Sequence, residues 1–217
     1  MKNVIIMGDS YSTYKGCIPE GFRHYYGKRD REETFFAETF KLEDTWWYQT
    51  VNELNLNLVQ NNSWSGSTIC YTGYDNADVS TTSSFIYRLE NLCREDFFNK
   101  NDIDTMIVFG ATNDNWTGGP LGETKFENWQ KSDLYSVKPA ICYYLHQIKE
   151  KAPSVNVYFI INPHLRKEII SCIIDACARY NFNYIILDDF DKEDGHPTAL
   201  GMNQIHKQVT SFLKNQK

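Results

Sequence analysis

Five short apolar runs punctuate the chain: Val4 to Met7, Leu56 to Val59, Met106 to Phe109, Val155 to Ile161 and Tyr184 to Leu187. They are rich in β-branched residues and mostly do not alternate with polar ones. That is the habit of strands covered on both faces, as in a parallel sheet. Between the runs, apolar residues return at helical spacing. Val137, Ile141, Leu145 and Ile148 form one such stripe, and Ile169 or Ile170, Ile173, Cys177 and Tyr180 form a second. A third, Met202, Ile205, Val209 and Phe212, begins after Pro197 and Thr198, as a helix N-terminus does. Strands alternating with helices predict a three-layer α/β sandwich around a mostly parallel sheet of about five strands.

Segments 13–44 and 111–131 break this alternation. They are rich in Gly, Pro, polar and aromatic residues, hold no sustained period, and read as long loops. Loops of that length usually serve a function or are disordered, and each follows the carboxyl end of a predicted strand, where open α/β sheets bind ligands. No repeat, low-complexity tract or linker divides the chain. Its 217 residues suit one domain, 1–217, at about 150 residues per domain.

Composition removes several classes of function. With 22 basic and 28 acidic side chains the formal charge is −6, and without a run of Lys or Arg the chain lacks the footprint of a nucleic-acid binder. A hydrophobic share of 41% against 23% charged is that of a folding chain and not a disordered one. The apolar runs are far shorter than the roughly 20 residues of a membrane-spanning helix. The N-terminus passes at once into Val4-Ile5-Ile6-Met7 with no signal-like apolar region, so a cytosolic protein is expected.

The six cysteines (17, 70, 93, 142, 172 and 177) contain no CxxC pair. They read as free thiols, with Cys172 and Cys177 as buried structural residues. Aromatics make up 15% of the chain and gather in loop-like segments: Phe22, Tyr25, Tyr26, Phe35, Phe36, Trp46, Trp47, Trp64, Trp116 and Trp129. Such rings can wall a pocket for a small ligand or pack the loops themselves, and the sequence leaves both open.

Candidate chemistry sits just beyond the strand ends. Gly8-Asp9-Ser10-Tyr11-Ser12 follows the first strand, Asn61 to Thr68 the second, Gly110-Ala111-Thr112-Asn113-Asp114 the third, and Glu193-Asp194-Gly195-His196-Pro197 the fifth. Nucleophilic acyl transfer needs a hydroxyl, a base, a carboxylate to orient the base, and donors aimed at an oxyanion. Each part alone is unremarkable, since a Gly-Asp-Ser is usually a cap or turn and a lone His or Asn usually a loop residue. All four parts together, in order and always after a strand, are informative.

With these four blocks the sequence resembles the SGNH/GDSL hydrolase superfamily, over residues 8 to 201. The resemblance implies a flavodoxin-like three-layer fold and a serine-dependent ester hydrolase. It places the nucleophile at Ser10, the base at His196, and the oxyanion donors at the Ser10 and Gly66 N–H groups and the Asn113 side chain. It further implies a small-molecule ester substrate and neither metal nor organic cofactor. Acetylated sugars, lipid esters, thioesters and aryl esters are all family substrates, and the loop aromatics favour an acylated sugar.

Two departures from the family pattern stand out. Its glycine two residues before the block-three Asn is Ala111 here, and its acid three residues before the His is Glu193, with Asp194 one nearer. Asp194 is taken as the orienting acid because it is the family's residue type, while the spacing argues for Glu193 and a backbone carbonyl can partly replace either. Ser12 is the rival hydroxyl, expected as a helix cap, while Asp9 and Asp114 are expected to brace loops. Asp188, Asp189 and Asp191 are read as a solvated acidic loop. The alternative to an enzyme is a binding module on the same fold, holding an anion or nucleotide through Gly66, Asn113 and a helix N-terminus.

Overall fold

The computed structural model describes residues 1–27 and 40–216, so Phe35 and Phe36 of the aromatic set lie outside the described residues. Its central strand is β1, Asn3–Gly8, buried from Val4 onward. With β2 (Asn57–Ser63), β3 (Thr105–Phe109), β4 (Asn156–Ile161) and β5 (Asn183–Ile186) it forms a parallel sheet in the order β2-β1-β3-β4-β5. Each apolar run has become a strand, and the α/β fold expected from them is the one observed.

Seven α-helices follow in chain order: α1 Trp46–Glu53, α2 Phe85–Arg94, α3 Phe97–Lys100, α4 Thr112–Trp116, α5 Val137–Lys151, α6 Lys167–Tyr180 and α7 Ala199–Lys214 among the described residues. Successive strand residues point to opposite faces, which divides the core in two. Ile5, Met7, Met106, Val108 and Phe159 pack with α2, α5 and α6. Val4, Ile6, Ile107, Phe109 and Ile160 pack with Trp46 and Trp47 of α1 and with Met202, Ile205 and Val209 of α7. Burying one such side chain contributes about 1.5–3 kcal/mol, so both faces of the sheet hold their helices firmly.

Strand register sets the site. Gly8 lies opposite Ser63 on one side and Phe109 on the other, so β1, β2 and β3 end level and their following loops meet. Gly8 allows this closeness, because a Cβ there would fall 2.4 Å from Ser63 Oγ and 2.6 Å from Ser12 Cβ. The strand β2 also runs four residues past its apolar stretch, through Gln60, Asn61, Asn62 and Ser63. Three of these are consumed internally: Asn61 Nδ2 donates to Ser12 O at 2.7 Å, Ser63 Oγ to Asn61 Oδ1 at 2.5 Å, and Asn62 Oδ1 accepts from Arg88 at 3.0 Å.

Of the two long segments, 111–131 is only partly a loop of the sheet edge. It opens with α4, and its remainder lies along the helical layer, with Leu121, Phe126 and Trp129 packed on the core and Lys138 N–H donating to Leu121 O at 2.8 Å. In segment 13–44 the described part holds a Tyr14–Tyr26 bridge and a 3-10 turn at Leu42–Asp44.

Candidate active site

Ser10 lies two residues beyond β1, at the start of a 3-10 turn, Ser10–Ser12, capped by Asp9, whose Oδ1 accepts the Tyr11 N–H at 3.1 Å. The Asp9 N–H in turn donates to Phe109 O at 3.3 Å, fastening the loop to the end of β3. The two candidate hydroxyls differ sharply. Ser12 is fully buried and its Oγ accepts the Trp46 indole N–H at 3.2 Å. Ser10 lines a cleft of about 580 Å³, and its Oγ lies 3.0 Å from His196 Nε2.

His196 is carried by a hairpin of β6 (Lys192–Glu193) and β7 (His196–Pro197). The intervening Asp194 and Gly195 have φ of 48° and 78°, the left-handed pair that a two-residue type I′ turn requires. In this turn the Asp194 carbonyl oxygen lies 3.2 Å from His196 Nδ1. A carbonyl only accepts, so Nδ1 bears the proton and Nε2 presents its lone pair to the Ser10 hydroxyl. Asp194, expected to orient the ring with its carboxylate, meets it through its main chain, while its side chain is on an exposed residue. The reason is positional, since a turn residue between the two paired strands directs its side chain outward. Glu193, opposite His196 in the hairpin, is exposed as well.

Aromatic residues hold the hairpin in place. Tyr11 Oη donates to Gly195 O at 2.6 Å and Tyr26 Oη to Pro197 O at 2.8 Å. The His196 ring stacks on Tyr25, and Trp116 meets it edge-on with centroids 5.5 Å apart. Tyr25 and Tyr26 stood in the aromatic set, but Tyr11 carried no sequence signal, because its role arises from a contact 184 residues away in the chain.

The three expected donors surround the same cleft. Among the described residues no acceptor takes the N–H of Ser10 or Gly66, although the neighbouring Asp9, Ser12, Ser65 and Ser67 N–H groups are all bonded to carbonyls. Gly66 has φ of 83°, a left-handed conformation that glycine adopts without strain. Asn113 lies in the first turn of α4, with Nδ2 2.9 Å from Ser67 O and Oδ1 2.7 Å from Tyr74 Oη. The preceding Ala111 also has φ of 71°. The family's glycine position is therefore left-handed in this chain too, at a cost of about 1–2 kcal/mol for alanine.

Beneath the cleft, three buried ionisable side chains, Asp114, Arg88 and Asp9, tie the loops together. Asp114 accepts the Ile69 and Cys70 N–H groups at 2.8 and 3.0 Å, joining the loop after β2 to the loop after β3. Burial raises its pKa, with those N–H bonds opposing. Arg88 of α2 donates to Gly8 O at 3.1 Å, Ser67 Oγ at 3.1 Å and both oxygens of Asn62. Burial lowers its guanidinium to about 10. Asp9 is raised to about 7, mainly by burial, and among the described residues no hydrogen bond reaches its Oδ2.

The remaining sequence candidates fall elsewhere. Asp189 pairs with His164 at 2.8 Å and Asp191 accepts from Thr198. Among the described residues no group of three His, Cys, Asp or Glu converges as a metal site would. Cys172 and Cys177 are buried, and Cys172 Sγ sits 3.7 Å from Cys142 Sγ as a free thiol. Trp64 and Trp116 line the cleft with Tyr25 and Tyr74, Trp46 and Trp47 are core, and Trp129 packs on Tyr143 and His146. No helix among the described residues is long and apolar enough to cross a membrane.

A hydroxyl bonded to an imidazole, beside unspent N–H donors at the carboxyl edge of a parallel sheet, is an arrangement able to carry out acyl transfer. The sequence matches the GDSL-like lipase/acylhydrolase family over residues 2–213, and the chain belongs to that family of ester hydrolases. Among solved structures it is similar to a protein described as a GDSL-like lipase from Bacteroides uniformis, at 40% identity and a TM-score of 0.89 over 99% of this chain and 96% of that one. A second such protein, from Bacteroides ovatus, is 39% identical with a TM-score of 0.88 over 99% of each chain. An acetyl xylan esterase from the rumen bacterium Butyrivibrio proteoclasticus shares the fold at 16% identity and a TM-score of 0.64, over 99% of this chain and 64% of that one. Comparison with curated proteins gives no match.

Proposed function

We propose that the chain is a serine-dependent hydrolase of short-acyl esters, with Ser10 as nucleophile and His196 as base. The observation that carries this reading is the 3.0 Å approach of Ser10 Oγ to His196 Nε2, made in the tautomer that can accept the hydroxyl proton. As Ser10 attacks the ester carbonyl, His196 takes its proton. The N–H groups of Ser10 and Gly66 and the Asn113 amide hold the tetrahedral oxyanion. The alcohol then leaves with the proton from His196, and a water activated by the same ring releases the acid. Asp194 helps to orient the imidazole through its carbonyl.

We further propose an O-acetylated sugar as the substrate class. In support, the cleft wall is built of Tyr25, Trp64, Tyr74 and Trp116, with Ala77 and Val79 as its aliphatic lining. Flat aromatic faces suit a sugar ring, whereas a long acyl chain needs an extended apolar tract. The test is a fluorophosphonate label mapped by peptide mass spectrometry, followed by rates on p-nitrophenyl acetate, p-nitrophenyl octanoate and acetylated xylo-oligosaccharides. Labelling at Ser10 and turnover confined to acetyl esters are expected. A chain that only binds anions leaves every ester intact and takes no label.

A further inference from the structure

Tyr74 reaches the cleft from the segment between β2 and α2, where it opens a short helical turn, Tyr74–Asn76. The turn is fixed on both sides, with Gly73 N–H donating to Ala77 O at 2.8 Å and Val79 N–H to Tyr71 O at 2.9 Å. From it the Tyr74 hydroxyl extends to within 2.7 Å of Asn113 Oδ1. At the other end of the same amide, Asn113 Nδ2 lies 2.9 Å from Ser67 O. Because that carbonyl can only accept, the nitrogen must be the atom facing it, and Tyr74 must donate to Oδ1. These two bonds define the amide plane and use one of the two Nδ2 hydrogens. The second is left for a group in the cleft.

The tyrosine is 44% exposed whereas Asn113 is 1% exposed. An exposed phenol finds water readily and needs no protein acceptor, so the bond serves the buried amide more than the tyrosine. The ring also covers the second donor loop, because a Cβ placed on Gly66 would stand 4.0 Å from Tyr74 Cε2. Burial, helped by the nearby Asp9 and Asp114 carboxylates, raises the Tyr74 pKa. Its hydroxyl therefore keeps the proton it donates across the neutral range.

We propose that Tyr74 is a positioning residue acting through Asn113. Its O–H locks the amide so that the second Nδ2 hydrogen faces the developing oxyanion, and by polarising the amide carbonyl it makes that N–H a stronger donor. The proposal rests on the ester-hydrolase reading of the cleft. Its benefit belongs to the transition state, where the oxyanion exists, and so to kcat and not KM.

The experiment is a cycle of Tyr74→Phe, Asn113→Ala and the double variant on p-nitrophenyl acetate, with melting temperatures to confirm folding. Tyr74→Phe keeps the ring and removes only the hydroxyl. It is expected to lower kcat about tenfold with KM nearly unchanged, the scale of one lost hydrogen bond. Asn113→Ala is expected to lower kcat about 10²-fold to 10³-fold, and the double variant no further, since the hydroxyl has no other route to the reaction. A raised KM with intact kcat in Tyr74→Phe, or losses that multiply in the double variant, would make Tyr74 a substrate contact and overturn the proposal. A Ser10→Ala control that keeps the native rate overturns the hydrolase reading and this inference together. An inactive Ser10→Ala beside an unaffected Tyr74→Phe overturns this inference alone.

Discussion

His196 and Tyr25 stack ring on ring, their centroids 3.6 Å apart and their planes 6° from parallel. Among the described residues, the Tyr25 face and the Asp194 carbonyl at Nδ1 both hold the imidazole. Tyr25→Leu is therefore expected to lower kcat/KM on p-nitrophenyl acetate by about tenfold or more, while Asp194→Asn and Glu193→Gln each change it less than about tenfold. Steady-state rates of the three variants check this. A loss of several orders of magnitude in either amide variant would return the orienting role to that carboxylate.

Arg88 bridges the ends of β1 and β2 and the loop that carries Gly66, all from one buried side chain. Methionine fills similar space but donates nothing, so Arg88→Met leaves Asn62 Oδ1 and Ser67 Oγ without the guanidinium and Gly8 O with only the Trp64 N–H. Leaving a buried acceptor without its donor costs about 1–3 kcal/mol. Urea unfolding should show that loss. A change below about 1 kcal/mol would mean that water replaces the guanidinium at little cost.

The buried Asp9 couples stability to pH. Its carboxyl is raised from an ordinary 3.8 to about 7 by burial, with the Tyr11 N–H opposing, Asp114 adding to the rise and Arg88 countering it. Between those values the folded chain holds a proton that the unfolded chain has released, so this contribution to stability is full below about 4 and is lost as pH rises through about 7. Asp9→Asn keeps an acceptor for the Tyr11 N–H and removes the titration. Thermal melts should show the variant gaining on the native chain between about pH 4 and about pH 7. A variant that falls behind at the higher pH would show that the ionised carboxylate is stabilised by its surroundings.

The strands were legible because Val4–Met7, Met106–Phe109 and their counterparts are continuous apolar runs, and α5, α6 and α7 because their stripes hold a helical period. The structure bears both out. The shorter helices were not. In α2 the buried face carries Arg88 between Phe85 and Leu92, which interrupts the apolar stripe. The α4 sequence Thr-Asn-Asp-Asn-Trp is made of residues that ordinarily cap or turn. At the site, Ser10, Gly66, Asn113 and His196 could be named because each follows a strand end within a local motif, and the structure gathers them at one cleft. Tyr11, Tyr25, Tyr74 and Arg88 act through contacts between distant segments, which no local pattern encodes.

The central claim is that Ser10, and not the neighbouring Ser12, is the nucleophile. Hydrolysis of p-nitrophenyl acetate by Ser10→Ala and Ser12→Ala tests it most directly, with circular dichroism to confirm that both fold. Ser12→Ala loses only an acceptor for the Trp46 indole and should keep most of its kcat. Ser10→Ala should fall by about 10³-fold or more, to the residual rate that oxyanion donors alone can support. Equal losses in the two folded variants, or a Ser10→Ala that turns over at the native rate, would contradict it.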